Sequence, residues 1–162
     1  MIKEDRNEKI KLFGEGYTLL VEALKKFPKE MWTFKPSPDN WCIHEIITHL
    51  ADSEANAYVK CRKLIAEPNK SIADYNQEIW ASALDYMNHD TKNALELFRL
   101  LRCTTHDLIK SLSESIWIKS VGHIENSIVT LDDWLDLYSV HVTGHIHQME
   151  RRYNEWLITR NQ

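Results

Sequence analysis

Thr130-Leu-Asp-Asp-Trp-Leu-Asp-Leu-Tyr-Ser-Val-His-Val-Thr-Gly-His-Ile-His-Gln-Met-Glu-Arg-Arg-Tyr-Asn-Glu-Trp156 is the stretch that settles the fold class. At about 100° per residue, Leu131, Trp134, Leu135, Tyr138, Val142, Met149, Tyr153 and Trp156 fall on one side of a cylinder, the pattern of a long amphipathic helix. Thr130-Leu-Asp-Asp133 opens it as a capping box with Asp in place of the usual Glu, and the periodicity carries it to about Arg160. His145 sits inside the stripe and His141 at its margin, one turn earlier. Imidazoles at i and i+4 project side by side, so two ring nitrogens can converge on one cation without bending the backbone. His147 projects to the opposite face with Asp132, Asp136 and Asn154, where it meets water.

The same period recurs upstream. Ile10, Phe13, Tyr17, Leu20, Val21, Leu24 and Phe27 predict a first helix from about Asp5 to Phe27, ended by Pro28. Met31 to Trp41 carries Pro36, Pro38 and alternating aromatics, and reads as an ordered connector. A second helix opens at Cys42, with Ile43, Ile46, Ile47, Leu50, Tyr58, Cys61, Leu64 and Ile65 as its stripe, and stops before Pro68. Tyr75 to Met87 predicts a shorter helix. Asp90-Thr91 caps a third long helix through Leu95, Phe98, Leu101, Thr105, Leu108 and Leu112. Ile118 to Val129, richer in β-branched residues and containing Gly122, reads as a loop or a short hairpin. Four long helices, a short extra helix, irregular connectors and no convincing sheet predict an all-α four-helix bundle.

At 162 residues and 43% apolar, the chain fits one domain, residues 1–162, with a real core. Its 20 basic and 24 acidic residues form no basic stripe, which argues against a nucleic-acid partner. The first residues are charged where a signal peptide carries an apolar core, and no run approaches membrane-spanning length. A soluble, cytoplasmic protein with no membrane partner is the expectation. Cys42, Cys61 and Cys103 are odd in number and far apart, so reduced, mostly buried thiols are expected rather than a disulfide or a nucleophile beside a base.

Two neutral imidazoles at a core margin need partners, either a shared cation or separate hydrogen bonds. A third ligand must come from another helix, and the second offers His44 and His49 on opposite flanks of its apolar stripe. Helical geometry leaves that choice open. His89, His106 and His123 read as ordinary solvated side chains. No histidine follows a carboxylate at the Glu-x-x-His spacing of di-iron bundles. Trp41, Trp134 and Trp156 read as core, and Tyr138 as a pocket hydroxyl.

Trp41-Cys-Ile-His-Glu-Ile-Ile-Thr-His49-Leu-Ala-Asp-Ser-Glu54, followed far downstream by His141, His145 and Gln148, resembles the signature of the DinB/YfiT-like superfamily. The resemblance spans nearly the whole chain in helix order. It implies a four-helix bundle in which His49, His141 and His145 bind a divalent metal, usually nickel or zinc, and it implies a homodimer. The choice of His49 over His44 comes from that resemblance. Cys42 stands where relatives have Ser or Thr, and Gly144 where many carry another histidine.

Three imidazoles around a divalent ion leave its charge uncompensated and a coordination position open, as in catalytic sites. Such an ion can acidify water or ionise a thiol. Some members of the superfamily transfer groups to a low-molecular-weight bacterial thiol, so a metal-dependent S-transferase acting on that thiol and an electrophile is the leading expectation. A metal-dependent hydrolase is the alternative, with Glu45, Asp52 and Glu54 as nearby candidate bases. A non-catalytic metal-binding stress or dimerisation module is the third reading.

Overall fold

The computed structural model describes residues 1–125 and 127–160; Asn126, inside the segment read as a loop or short hairpin, and Asn161 and Gln162 lie outside them. Six α-helices and one two-stranded ladder are found among the described residues: α1 (Lys3–Leu24), α2 (Ile43–Ala66), α3 (Gln77–Ala83), α4 (Thr91–Ile109), α5 (Glu114–Lys119), β1 (Val121–Ile124), β2 (Ser127–Thr130) and α6 (Leu131–Arg160). The four long helices form the bundle, α1 packing on α4 and α6, and α2 packing on the same two. Helices α1 and α2, successive in sequence, therefore occupy opposite corners, as do α4 and α6. Both connections between these pairs must cross the end of the bundle.

Local chemistry explains the helix starts. At α6 the Thr130 amide donates to Asp133 Oδ2 (2.9 Å) and the Asp133 amide donates to Thr130 Oγ1 (3.1 Å), so the Asp-for-Glu capping box closes in both directions. At α2 the Cys42 amide donates to Glu45 Oε2 at 2.9 Å, and Lys35 holds the other oxygen at 2.9 Å. Asn76 caps α3 through the amides of Glu78 and Ile79, and Asp90 caps α4 through that of Lys92.

The core has two lobes. One gathers Leu20, Phe27, Met31, Trp41, Ile46, Leu50, Phe98 and Met149; the other gathers Phe13, Cys61, Leu64, Trp117, Leu131, Trp134 and Tyr138. Burial of Cys42 and Cys61 raises their thiols to about 11 and about 12, and Cys103 is exposed. The segment read as loop or hairpin is an antiparallel hairpin pairing Val121 with Thr130 and Ile124 with Ser127. Helix α5, which the sequence reading did not anticipate, is anchored by buried Trp117 with the Arg6 guanidinium 4.7 Å from its ring. The short helix expected from Tyr75 to Met87 is divided into α3 and a 3-10 turn at Tyr86–Asn88. No helix among the described residues is long and apolar enough to cross a membrane.

Candidate metal centre

The Ile43/Ile46/Ile47/Leu50 stripe of α2 is fully buried, and it draws the flank bearing His49 inward until that ring is fully buried too. Helix α6 lies against this flank and presents His141 and His145 from consecutive turns, both partly buried. One nitrogen from each of the three rings lies within 4.8 Å of the others. The Nε2 atoms of His141 and His145 are 3.1 Å apart, and the His49 ring centre is 4.8 Å from that of His145 and 5.5 Å from that of His141. Trp41, placed at the start of α2 by the proline connector, packs its indole against the His49 ring, with 4.7 Å between ring centres.

The donor set suits a divalent cation. Desolvation, reinforced by the neighbouring His145, pushes His49 down to about 3; the same two effects, with His49 and Arg102 adding to them, push His141 down to about 2. Burial also lowers His145. All three rings are therefore neutral at physiological pH and carry lone pairs. Gln148 Oε1 lies 2.8 Å from His145 Nδ1, and because an amide oxygen only accepts, Nδ1 carries the proton and the Nε2 lone pair faces His141. Both nitrogens of His49 are buried without a hydrogen-bond partner in the protein, a costly state that a cation relieves at one of them.

The remaining histidines are engaged elsewhere. His44 Nε2 meets the His89 carbonyl oxygen at 2.8 Å on the exposed side of α2, and His89 Nε2 meets that of Leu84 at 2.9 Å. His147 is solvated beside Glu150. His106 packs over Gly14, where a Cβ would stand 2.7 Å from its Nε2. His123 lies in β1.

Beside His141 opens a cleft of about 340 Å3 lined also by Ser53, Lys60, Asp74, Tyr75 and Tyr138. Sequence reasoning reached Tyr138, and Ser53 as a neighbour of His49 on its flank of α2 beside a possible cleft, but not Lys60, Asp74 or Tyr75. A signal was present, since Ser53 and Lys60 follow His49 at i+4 and i+11 on one face of α2. Asp74 and Tyr75 come from the segment after α2, whose placement only the tertiary structure reveals. The three carboxylates considered as bases are all committed: Glu45 to Cys42 and Lys35, Asp52 to the Tyr86 hydroxyl at 2.6 Å, and Glu54 to Arg102 at 2.5 Å.

Residues 12–149 match the family model of the DinB superfamily. The chain belongs to the DinB superfamily. Its DinB relatives include "Putative metal-dependent hydrolase YfiT" of Bacillus subtilis, 25% identical over 154 residues, covering 93% of this chain and 86% of that protein. A protein of Oceanobacillus iheyensis, also named a putative metal-dependent hydrolase, is 29% identical over 106 residues, 65% of this chain and 61% of the relative. The solved structure of YfiT, described as "a probable metal-dependent hydrolase with an unusual four-helix bundle topology", superposes with a TM-score of 0.87 at 22% identity, covering 96% of this chain and 90% of that one. The four-helix-bundle fold described above is thus shared with a solved structure.

Proposed function

We propose that this DinB-superfamily chain is a metal-dependent S-transferase: His49, His141 and His145 hold a divalent ion, nickel or zinc as the family resemblance implies, and a low-molecular-weight thiol attacks an electrophile in the adjoining cleft. The observation that carries this reading is an all-imidazole ligand set whose neighbouring carboxylates are already paired. The ion supplies Lewis acidity, which favours the thiolate form of a thiol at neutral pH. Sulfur then forms a bond to the electrophilic carbon as the leaving group departs with its electron pair, and the thiol proton passes to solvent. No carboxylate base is needed for this step.

The protein's own groups orient and shield. Burial holds the phenols of Tyr75 and Tyr138 above their usual value, so both stay protonated and can donate to an electrophile's oxygen or a departing anion. Trp41 packs against the His49 ring, and both are buried. A hydrolase is the second reading, favoured by the names of the relatives.

The metal-loaded protein should consume monochlorobimane only when a thiol is present, and chelation or His145→Ala should abolish the reaction. Turnover of an activated ester without thiol, and no thiol-dependent reaction, would instead support the hydrolase. Tight metal binding with neither activity would leave a binding module.

A further inference from the structure

The cleft beside His141 holds one cation, and that cation is already seated against a carboxylate. Lys60 lies on the His49 face of α2; its side chain is only 11% exposed, and Nζ donates to Asp74 Oδ1 at 2.6 Å. Asp74 is 48% exposed and belongs to the segment that runs from α2 to α3. The early part of that segment is pinned to β1: the Asn69 amide donates to the Val121 carbonyl (2.7 Å) and the Ile72 amide to that of His123 (2.8 Å). Past Ile72, the Lys60–Asp74 pair is its ionic tie to α2. Partial burial pushes Asp74 upward, but hydrogen bonds from Lys60 and the Tyr75 amide outweigh it and hold the carboxyl below its usual value, so Asp74 is an anion at neutral pH.

We infer that Lys60 is the anion seat of the cleft, that Asp74 occupies it in the free protein as a stand-in, and that the thiol cosubstrate carries a carboxylate which displaces Asp74. The occupant already in place shows that the seat accepts a carboxylate oxygen, and the exposure of Asp74 gives it solvent to move into. Spacing sets the size of the thiol. Lys60 lies three turns beyond His49, about 16 Å along the helix axis at 1.5 Å per residue, and side chains on a helix lean back toward its N-terminus. Both side chains lean the same way, so only the greater length of lysine shortens this gap; a cysteine-sized thiol is too short for it, and a thiol that sets its carboxylate further out along its chain reaches closer to Lys60, which lines the same cleft as His141. Lys60 is thus a specificity residue, and the inference rests on the transferase reading for its choice of thiol.

The test compares glutathione with its diethyl ester, which differ only in their two carboxylates, using monochlorobimane and metal-loaded protein. The free acid should show kcat/KM about tenfold or more above the ester, the scale of one partly shielded ion pair. Lys60→Met should bring that ratio close to one. Asp74→Asn, which keeps Lys60 and removes its stand-in, should lower KM for the free acid and widen the ratio, and so guards against a loss caused by misfolding. A second readout needs neither metal nor turnover: fluorescence anisotropy of the two S-bimane conjugates on metal-free protein, where the acidic conjugate should bind about tenfold tighter and lose that advantage in Lys60→Met. Equal use of the two thiols, or a preference that survives Lys60→Met, overturns the inference. If neither thiol reacts, the transferase reading falls, and the conjugates alone decide the anion seat: selective binding lost in Lys60→Met upholds it, and equal or absent binding overturns it.

Discussion

Gln148 shows how one side chain can set the chemistry of another. By accepting from His145 Nδ1 it selects the tautomer whose Nε2 lone pair faces the shared point. Gln148→Ala frees that choice without touching the core, so metal affinity should drop by about 10- to 100-fold with little change in melting temperature, as read by competition with a chelating dye. At this scale the sequence is partly legible. That His141 and His145 share one face follows from spacing and helix direction, because their helix is strongly periodic; the pattern alone leaves a shared ion and separate hydrogen bonds equally open. The choice of His49 does not follow from spacing, since both flanks of the α2 stripe carry a histidine; only family resemblance, and then the packing of α6 against one flank, distinguishes them. Trp41 was read as core, and it is buried, but its contact with His49 depends on the path of the proline connector, which local pattern does not encode.

Elements with strong period and good caps were legible: α1, α2, α4 and α6 lie where the apolar stripes put them, within a few residues at each end. Helix α5 was not, because its six residues include β-branched Ile116 and Ile118 and its stability comes from Trp117 beneath Arg6. That corner joins three elements. Arg6 of α1 donates to Glu114 of α5 and to Asp132 in the first turn of α6, and the chain's amino group also reaches Asp132. Partial burial would raise Asp132, but the hydrogen bonds from Arg6 and the amino group outweigh it and hold it below the usual value. A carboxyl whose folded pKa is depressed contributes stability in full above its unfolded pKa of about 3.9, and loses it as pH falls through the lower folded value. The melting temperature should therefore decline as pH drops below about 4, and Asp132→Asn should flatten that decline while lowering the plateau at neutral pH. Thermal melts across pH for both proteins check this.

All four long helices of the bundle meet at one guanidinium. Arg102 of α4 pairs with Glu54 of α2 and donates to the carbonyls of Phe13 in α1 and Tyr138 in α6, with the Phe13 ring 4.1 Å away. Gly16 leaves room for it, since a Cβ there would lie 2.7 Å from Arg102 Nη1. Tyr138, whose carbonyl accepts from Arg102, lies one turn before His141, so the hub of the bundle adjoins the candidate site. Removing only the cation leaves Glu54 buried and uncompensated; Arg102→Met should cost about 3–5 kcal/mol in chemical denaturation, and the double variant with Glu54→Leu should recover much of it. Sequence patterning predicted the bundle but not its crossed corners, because a helix stripe says which face is buried and not which neighbour covers it. The account as a whole depends on three imidazoles sharing one ion, and calorimetric titration of the metal-free protein with zinc or nickel tests this most directly. It predicts one ion per chain, with tight binding lost in His49→Ala as completely as in His141→Ala or His145→Ala. Unchanged affinity in His49→Ala, or no tight site in the parent protein, would contradict it.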